Sequence, residues 1–336
     1  MDTITHVVLG ACIGELFVGK KIGKRALLLG AIAQSVPDID FIVSFFLGPA
    51  DNLLAHRGLT HSLFFAVLVV PLLATIADRW RRPHDVAYRT WIAFFATEVL
   101  VHLLLDTANA YGTGLLEPFN HQRFSYNTLF VADPFFSIVP GIVAVMLLVN
   151  RTHAKRTLWA IVSIIWCSVY FVLGIVNKTI IESAIEKDAA KDQLIYSRHF
   201  TSPTPFNNLL WYTVLENDSG YYIGYRSVFD KGKPTDFHYR YKNDALLQDV
   251  KQRDDIKKLL LFSQGYYTAE LLHDTLVFND LRFGQVTGWS DSTARFAFYY
   301  YVNDIKDNDL IIQRGRFKNW NSHTIGSLWR RMMGKR

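Results

Sequence analysis

His102 and Asp106 lie four residues apart in the segment HLLLDTANAYG, inside an otherwise apolar stretch. If this segment is helical, the imidazole and the carboxylate emerge one turn apart on the same face. A polar group in an apolar segment is costly unless it is paired, hydrated or bound to a metal, so both side chains are functional candidates. The spacing alone fits two interpretations: two ligands of one metal ion, or a His–Asp hydrogen bond that packs helices together.

Further His and Asp side chains occur near the ends of apolar segments in the same half of the chain. They are His6, Asp38, Asp40, His56, His61 and Asp133. Pro37 disfavours regular helix at the residue before it, and in an irregular stretch Asp38 and Asp40 could face one site. A helix cap or a solvated turn is the alternative for this pair. Asp133 precedes Pro134, so it could be a helix N-cap or could bind or support a metal.

The segment HRGLTHS combines His56 and His61 with Arg57 at the end of an apolar run. Thr60 or Ser62 could cap the next helix, while Arg57 could neutralise a carboxylate or bind a phosphate oxygen. Imidazole and carboxylate ligands without thiolates suit zinc first, or manganese or iron, and the number of carboxylates allows one or two ions. Such a centre activates water and polarises a carbonyl or phosphoryl oxygen, so hydrolysis is the expected reaction.

The elements that must position these groups are predicted to be membrane helices. The chain has 336 residues, of which 50% are hydrophobic and 20% charged. Six apolar runs are close to the length that crosses a bilayer core of about 30 Å, although the first is short enough to be re-entrant. They cover residues 6–19, 26–48, 62–78, 91–108, 130–149 and 157–177. We expect no cleavable secretory signal, because the first basic cluster follows the first apolar run.

The net charge of +6 is concentrated in three loops, after the first, third and fifth runs. These loops contain Lys20, Lys21, Lys24, Arg25, Arg79, Arg81, Arg82, Arg89, Arg151, Lys155 and Arg156. Under the positive-inside rule they are cytoplasmic, which predicts six segments with both termini outside the cytoplasm and argues against nucleic-acid binding. The His and Asp candidates then all fall near the non-cytoplasmic face, although they were selected by a different criterion.

The sequence pattern changes at about residue 178. We predict an α-helical polytopic membrane domain over 1–178, a helical stalk over 179–201, and a small soluble α+β domain, mainly antiparallel sheet, over 202–336. NDSG at 217–220 predicts a hairpin turn, and 244–262 a helix. The basic and apolar end LWRRMMGKR is interpreted as a solvated terminus, with a lipid-binding device as the alternative. Strands are predicted at 209–216, 220–230, 235–242, 265–272, 274–283 and 294–302.

Five motifs within about the first 150 residues resemble the YbcI/YdjM-like family of membrane-bound proteins, to which metal-dependent hydrolysis is ascribed. In order they are DTITHVVLG, PDIDF, HRGLTHS, HLLLDTANAYGTGLLEPF and VADPFF. The resemblance implies a protein of the bacterial inner (cytoplasmic) membrane, although TANAYG departs from the TxYG-like form of the family. By matching position it implies a set of metal ligands: His6, Asp40, His61, His102 and Asp106, with Asp38, His56 and Asp133 as further candidates. Arg57, His56 and Asp133 are also the candidate catalytic groups, for anion stabilisation and proton transfer.

We therefore expect a membrane-bound metal-dependent hydrolase that acts at the non-cytoplasmic face on a lipid or a lipid-linked ester or phosphoester. One alternative is a metal transporter or sensor, which requires a polar path to the cytoplasm. The inner halves of the segments are poor in such groups apart from Glu15 and Glu98. The other alternative is a membrane scaffold whose C-terminal part recruits partners. The sequence does not predict the oligomeric state.

Overall fold

The structure is a computed structural model that describes residues 1–80, 86–150, 153–302, 317 and 320–335. Arg81, Arg82 and Arg151, which carry part of the charge argument, lie outside the described residues. The chain divides into two compact units. The membrane unit comprises Met1–Phe46 and Ala55–Gly174, and the C-terminal unit comprises Leu47–Leu54 and Ile175–Arg336. The predicted domain limits at 178 and 201, and a stalk function for the residues between them, stay predictions.

Ten helices are present among the described residues. They are α1 Thr3–Ile22, α2 Arg25–Gln34, α3 Phe41–Ser44, α4 Pro49–Ala55, α5 Leu63–Trp80, α6 Tyr88–Thr107, α7 Pro134–Val149, α8 His153–Lys191, α9 Asp254–Phe262 and α10 Ser322–Met332. Short 3₁₀ turns occupy Pro37–Asp40, Leu59–His61 and Asp244–Leu247. The two 3₁₀ turns of the membrane unit both carry candidate ligands.

Four helices are long and apolar enough to cross a bilayer: α1, α5, α6 and the Lys155–Lys191 part of α8. A fifth candidate arises only if α2 and the following Pro37–Ser44, which are bent by 54°, count as one broken span. The run predicted over 130–149 forms only the 16 residues of α7, because Asp133 caps a helix that begins at Pro134. That helix is about 24 Å long, against the 30 Å or so of a bilayer core. Six spans are therefore not confirmed; the described residues contain four or five candidates.

Helices α1 and α2 pack with their backbones nearly in contact. A Cβ atom on Gly10 would lie 2.5 Å from the carbonyl oxygen of Gly30, and one on Gly30 would lie 2.0 Å from that of Gly10. Small residues four apart, such as Gly10 and Gly14, are the usual means of close approach between membrane helices. Helix α1 is also held by a buried ion pair, in which Arg156 Nε lies 2.9 Å from Glu15 Oε1.

The helical conformation is interrupted between the end of α2 and the 3₁₀ turn Pro37–Asp40. In a continuous helix the N–H of Asp38 would donate to the carbonyl of Gln34. Here it donates to Ser35 O at 3.2 Å, and Pro37 has no N–H to donate. The break therefore leaves the carbonyl of Gln34 available to a group outside α2.

The C-terminal unit contains two antiparallel sheets, as the sequence predicted. One has the order β1 to β4 and the other the order β5 to β7. The strands are β1 Arg198–Pro203, β2 Leu210–Glu216, β3 Gly220–Ser227, β4 Phe237–Tyr241, β5 Tyr267–Leu272, β6 Thr275–Gln285 and β7 Phe296–Tyr301. The predicted turn between β2 and β3 is confirmed, since Asn217 Oδ1 accepts from Gly220 N at 2.8 Å.

Two details of this unit differ from the sequence prediction. The helix predicted over 244–262 is divided into the Asp244–Leu247 turn and α9. Strand β1 was not predicted, because it ends within SPTPF at 202–206, whose two prolines indicate a break rather than a strand. Pro203 nevertheless pairs with Trp211, which is possible because β1 is an edge strand and proline is tolerated there.

Candidate metal centre

Four side chains of the membrane unit form a group that could hold one metal ion. They are Asp38, His61, His102 and Asp106, and one ligand atom from each lies within 4.8 Å of the others. Asp38 and His61 come from the two 3₁₀ turns, and His102 and Asp106 from consecutive turns of α6. Asp38 is 26% exposed, while the other three side chains are fully buried. The group is therefore buried on all but one side.

Four of the distances between ligand atoms of this group are close to those around a single bound ion. His61 Nε2 lies 3.1 Å from His102 Nε2 and 3.2 Å from Asp106 Oδ2. Asp38 Oδ1 lies 3.5 Å from His61 Nε2 and 3.6 Å from His102 Nε2. Zinc bound tetrahedrally at about 2.0–2.1 Å would hold its ligand atoms about 3.3–3.4 Å apart.

The tautomers of the two histidines also favour a cation. His102 Nδ1 lies 2.6 Å from the backbone oxygen of Gln34, which can only accept, so Nδ1 carries the proton and Nε2 carries a lone pair. His61 Nδ1 lies 3.1 Å from Thr60 Oγ1 and 3.5 Å from Asp40 Oδ2, so a proton on Nδ1 would have an oxygen acceptor and Nε2 could bind a metal. With His61 in that form, two lone pairs and two carboxylates face one point. A cation at that point would remove the repulsion among these lone pairs and negative charges. Oxygen partners on Nδ1 are also the usual support of metal-binding histidines.

The field at this point is negative. Burial alone would lower the pKa of His61, but the neighbouring carboxylates of Asp106 and Asp38 favour its charged form, outweigh burial and raise the pKa above the ordinary histidine value. The same carboxylates would attract a divalent cation. Asp106 Oδ2 is buried and lies 3.2 Å from His61 Nε2 and 3.0 Å from Arg57 Nε, without an aligned hydrogen bond among the described residues.

His6, predicted as a ligand, lies beside the group rather than within it. Its ring stacks on that of His102 with centroids 3.9 Å apart, and its Nε2 lies 3.3 Å from Asp106 Oδ1. The amino nitrogen of Met1 contacts the same oxygen. Asp106 therefore directs Oδ2 towards the four-residue group and Oδ1 towards His6.

Asp40, also predicted as a ligand, lies behind His61. Its Oδ2 accepts from the backbone N–H of Arg57 at 2.7 Å and lies 3.3 Å from His56 Nδ1. The structure thus brings Asp40 and His56 together, but on the Nδ1 side of the His61 ring. The ligand atom of His61 is Nε2, on the opposite side of the ring. His56 is 43% exposed and so lies at the edge of the site.

Arg57 lies within the site. Its Nε is 3.0 Å from Asp106 Oδ2, and Nη1 donates to Asn109 Oδ1 at 2.7 Å. Arg57 has a φ of 58°, a left-handed conformation that is unfavourable for a residue with a Cβ. The backbone is held there by Asp40 on one side and, through the N–H of Gly114 on the Arg57 carbonyl at 2.8 Å, by the loop after α6 on the other.

Asp133 lies outside the four-residue group. It caps α7, accepting from Phe135 N at 2.9 Å, and it accepts from the hydroxyl of Tyr170 at 2.7 Å. The capping alternative stated from the sequence therefore accounts for Oδ1, and the Tyr170 hydroxyl accounts for Oδ2.

Sequence reasoning missed Gln34 and Asn109. Gln34 acts through its backbone carbonyl, so its residue type carries no signal. Asn109, three residues after Asp106, could have been found as a polar residue within TANAYG, and it also accepts from Tyr111 N at 3.1 Å. Glu98, one turn before His102, extends the polar face of α6 and is fully buried.

These observations define a membrane protein with several candidate spanning helices and a possible metal-binding group in its N-terminal half. The chain belongs to the YdjM inner membrane protein family, which matches residues 1–181 and so includes the whole group. The resemblance seen in the five motifs is thereby confirmed.

Two relatives are similar to parts of this chain. Inner membrane protein YbcI of Escherichia coli (strain K12) is 40% identical over 124 residues, which cover 36% of this chain and 69% of YbcI. Uncharacterized protein YfhP of Bacillus subtilis (strain 168) is 30% identical over 149 residues, which cover 41% of this chain and 43% of YfhP. The match thus spans less than half of YfhP. No solved structure matches the chain.

Proposed function

We propose that this protein is a membrane-bound metal-dependent hydrolase that acts at the non-cytoplasmic face of the membrane. The observation that carries the proposal is the convergence of two imidazoles and two carboxylates, with Asp38 alone partly exposed. Such an arrangement combines ligands held in place by the fold with one side open to a substrate. A divalent ion bound there would polarise an ester or phosphoryl oxygen and activate water.

We propose zinc as the ion, because N and O ligands at these separations suit it. The three buried ligands His61, His102 and Asp106 would hold the ion, and the partly exposed Asp38 would share or yield its position to the water that is activated. Manganese and iron accept the same ligand types. One ion fits the four-residue group. A second ion would need His6 and Asp106 Oδ1, whose ligand atoms are 3.3 Å apart on the other side of the Asp106 carboxylate.

Arg57 is the group proposed to stabilise negative charge on the substrate. It is buried beside Asp106, and its Nε has no aligned acceptor among the described residues. A fixed guanidinium donor in a buried site favours an anion that develops during hydrolysis. Its other nitrogens are positioned by Asn109 and by the Met1 carbonyl.

His56 is the proposed proton carrier. It is the half-exposed member of the His56–Asp40 pair, so it can exchange protons with solvent while Asp40 orients its ring. We assign no catalytic step to Asp133, since its oxygens are used by Phe135 and Tyr170.

The proposed substrate is a membrane lipid or a lipid-linked ester or phosphoester, such as an acylated component of the cell envelope. Asp38 is the one ligand that is partly exposed. Two strongly exposed aromatic side chains follow it in the sequence, Phe45 at 76% and Phe46 at 83%. Exposed apolar side chains in the segment that follows Asp38 suit a substrate that arrives within the lipid. The non-cytoplasmic placement of the centre and of the C-terminal domain rests on loop charge and on the six-segment topology, which we retain as proposals.

A second candidate is a metal transporter or sensor without hydrolytic activity. The observation in its favour is Glu98, a buried carboxyl one turn before His102. It lies next to the side chain of Gln34, whose amide nitrogen can donate to Glu98 Oε2 at 2.6 Å. A polar face with Glu98, His102 and Asp106 would be the start of an ion path along α6.

Metal analysis of the purified full-length protein tests the hydrolase proposal first. The wild type should hold about one ion per chain, and His102→Ala and Asp106→Ala should lose it. His121→Ala, which changes an exposed histidine outside the group, is the matched control and should retain the ion. A wild-type protein that stays metal-free after loading, with its fold intact, would refute the metal centre.

Activity then separates the candidates. The metal-loaded protein should hydrolyse a member of a panel of lipid esters and phosphoesters, and the loss of activity in His102→Ala should parallel the loss of metal. Metal flux into liposomes without any hydrolysis would instead favour transport, and in that case Glu98→Gln should reduce the flux.

A further inference from the structure

A cavity of about 390 Å³ lies within the C-terminal unit, remote in sequence from the metal centre. Its walls come from α10 and Lys335 after it, from Tyr225 on β3, and from the segment that follows β6. Hydroxyl, indole and cationic groups converge on it. They include Trp289, Ser290, Ser292, Ser327, Arg330 and Lys335.

The charge of this cavity is set by Arg330 and Lys335. A third cation, Arg331, is neutralised by Asp230, with the two nitrogen–oxygen distances at 2.9 and 2.7 Å. Arg330 and Lys335 are exposed and make no ion pair among the described residues. The opposing carboxylate in the wall is Asp236, which is 77% exposed and lies 3.6 Å from His238. Two cations against one carboxylate leave a net charge that a phosphate group can balance.

The polar walls are held rigidly around this charge. The indole nitrogen of Trp289 donates to Ser327 Oγ at 3.0 Å, which fixes the ring against α10. Ser290 Oγ donates to Thr287 O at 3.1 Å, and Ser327 Oγ donates to Thr324 O at 2.8 Å, so these hydroxyl protons are used within the protein. The donors left for an anionic group are therefore the charged ends of Arg330 and Lys335.

Beside the cavity, α10 exposes a stripe of apolar side chains. Ile325, Trp329 and Met333 follow one another at intervals of four residues and are all exposed, with Trp329 at 57%. Phe229 is exposed next to the end of this stripe, its backbone oxygen lying 2.8 Å from the position of a Cβ on Gly334. Arg330 comes one residue after Trp329, about 100° round the helix, and so lies between the stripe and the cavity.

We propose that α10 docks on the surface of an anionic phospholipid bilayer and that the cavity holds the phosphate of a lipid headgroup. Ile325, Trp329 and Met333 would enter the interfacial layer, where tryptophan is favoured. Arg330 and Lys335 would bind the phosphate, and charge complementarity selects anionic lipid over another apolar partner. The exposed stripe is the feature that the interpretation of LWRRMMGKR as a solvated terminus did not include.

This inference does not depend on the metal centre, so the two can fail separately. The test uses the full-length protein in lipid nanodiscs made of phosphatidylcholine alone or of phosphatidylcholine with phosphatidylglycerol. An environment-sensitive fluorophore on Ser322→Cys reports whether α10 enters the lipid, and the native cysteines Cys12 and Cys167 are buried. We expect a blue shift only with phosphatidylglycerol, reduced by added salt.

Arg330→Gln and Lys335→Gln should each lower the ratio of docked to undocked protein about fivefold, and the double variant about 25-fold, as expected for about 1 kcal/mol per basic residue. Trp329→Ser should also reduce docking. The matched controls are Lys257→Gln and Leu261→Ser, an exposed charge and an exposed apolar residue on α9, and they should leave it unchanged. His102→Ala should dock like the wild type.

Soluble glycerol 3-phosphate then tests the cavity itself and should compete with docking. Equal emission in both kinds of nanodisc, or a double charge variant that docks like the wild type, would overturn the proposal. Docking that depends on charge but resists glycerol 3-phosphate would overturn the assignment of the cavity as the headgroup site.

Discussion

The Nδ1 atom of His102 lies 2.6 Å from the backbone oxygen of Gln34, and this contact fixes which nitrogen of His102 faces the metal centre. Because a carbonyl oxygen can only accept, the proton of the ring is on Nδ1. The break in the helix after Gln34 makes this oxygen available. A feature of the backbone therefore determines the chemical state of a side chain on another helix.

Asp40→Asn should weaken metal binding without abolishing it. The carboxylate supports the Nδ1 side of His61 and the backbone of Arg57, and loss of such a supporting group costs about 10–100-fold in metal affinity. Competition with a chelator measures the change. Asp218→Asn, an exposed residue of the β2–β3 turn, should have no effect. Complete loss of the ion at saturating metal would instead make Asp40 a direct ligand.

Metal should stabilise the membrane unit through the four-residue group. At a free ion concentration of about 100 times Kd, a single site adds about 2.7 kcal/mol, which is visible as a higher unfolding temperature in detergent. The shift should vanish in Asp106→Asn, which keeps the size of the side chain and removes its charge. The same shift in this variant would show that the metal binds elsewhere.

Gly30→Ala should destabilise the membrane unit and weaken metal binding together. The added methyl group would meet the carbonyl of Gly10 at 2.0 Å, so α1 and α2 must separate, at a cost of about 1–3 kcal/mol. Separation would displace the Gln34 carbonyl at the end of α2. Gly141→Ala on α7 is the matched control, since nothing lies within 4 Å of its Cβ, and it should gain up to about 1 kcal/mol of helix propensity. Equal unfolding temperatures for the two variants would contradict the close packing.

The stability of the C-terminal unit should fall with rising pH through the His199–Glu182 pair. The Glu182 carboxylate, 3.6 Å away, raises the pKa of His199 above its ordinary value. The pair is therefore fully stabilising below the unfolded pKa of about 6.5 and is lost as the pH rises through the higher folded value. Pulse proteolysis of the full chain between about pH 6 and 8 measures this. His199→Gln and Glu182→Gln should flatten the profile equally, and an unchanged slope in either variant would exclude the pair as its source.

The sequence was sufficient to name every member of the four-residue group but not to separate them from their neighbours. To predict that His102 and Asp106 lie on one face, it was enough to predict that their segment is a helix. Sorting His6 and Asp40 from Asp38 and His61 depends on how turns from distant parts of the chain pack, which no local pattern encodes. The left-handed backbone conformation of Arg57 could not be predicted either, because this conformation is usually adopted by glycine or asparagine.

The sheets of the C-terminal unit were predictable for a local reason. Alternation of apolar and polar residues marks strands such as β2 and β3, and the Asn217 turn joins them. Strand β1 lacks this signal because Pro203 reads as a break. The predicted number of spanning segments is not confirmed, since an apolar run does not reveal that a cap such as Asp133 shortens its helix.

The break after α2 makes the centre sensitive to chain length as well as to residue type. Two residues flank the break. Gln34 supplies the carbonyl that accepts the proton of His102, and Asp38 is the partly exposed ligand of the group. An insertion or deletion of one residue between them would move both contributions at once, while leaving every ligand in the sequence. We therefore expect functional members of this lineage to tolerate changes of residue at 35 and 36 but to keep the count of residues from 34 to 38 constant.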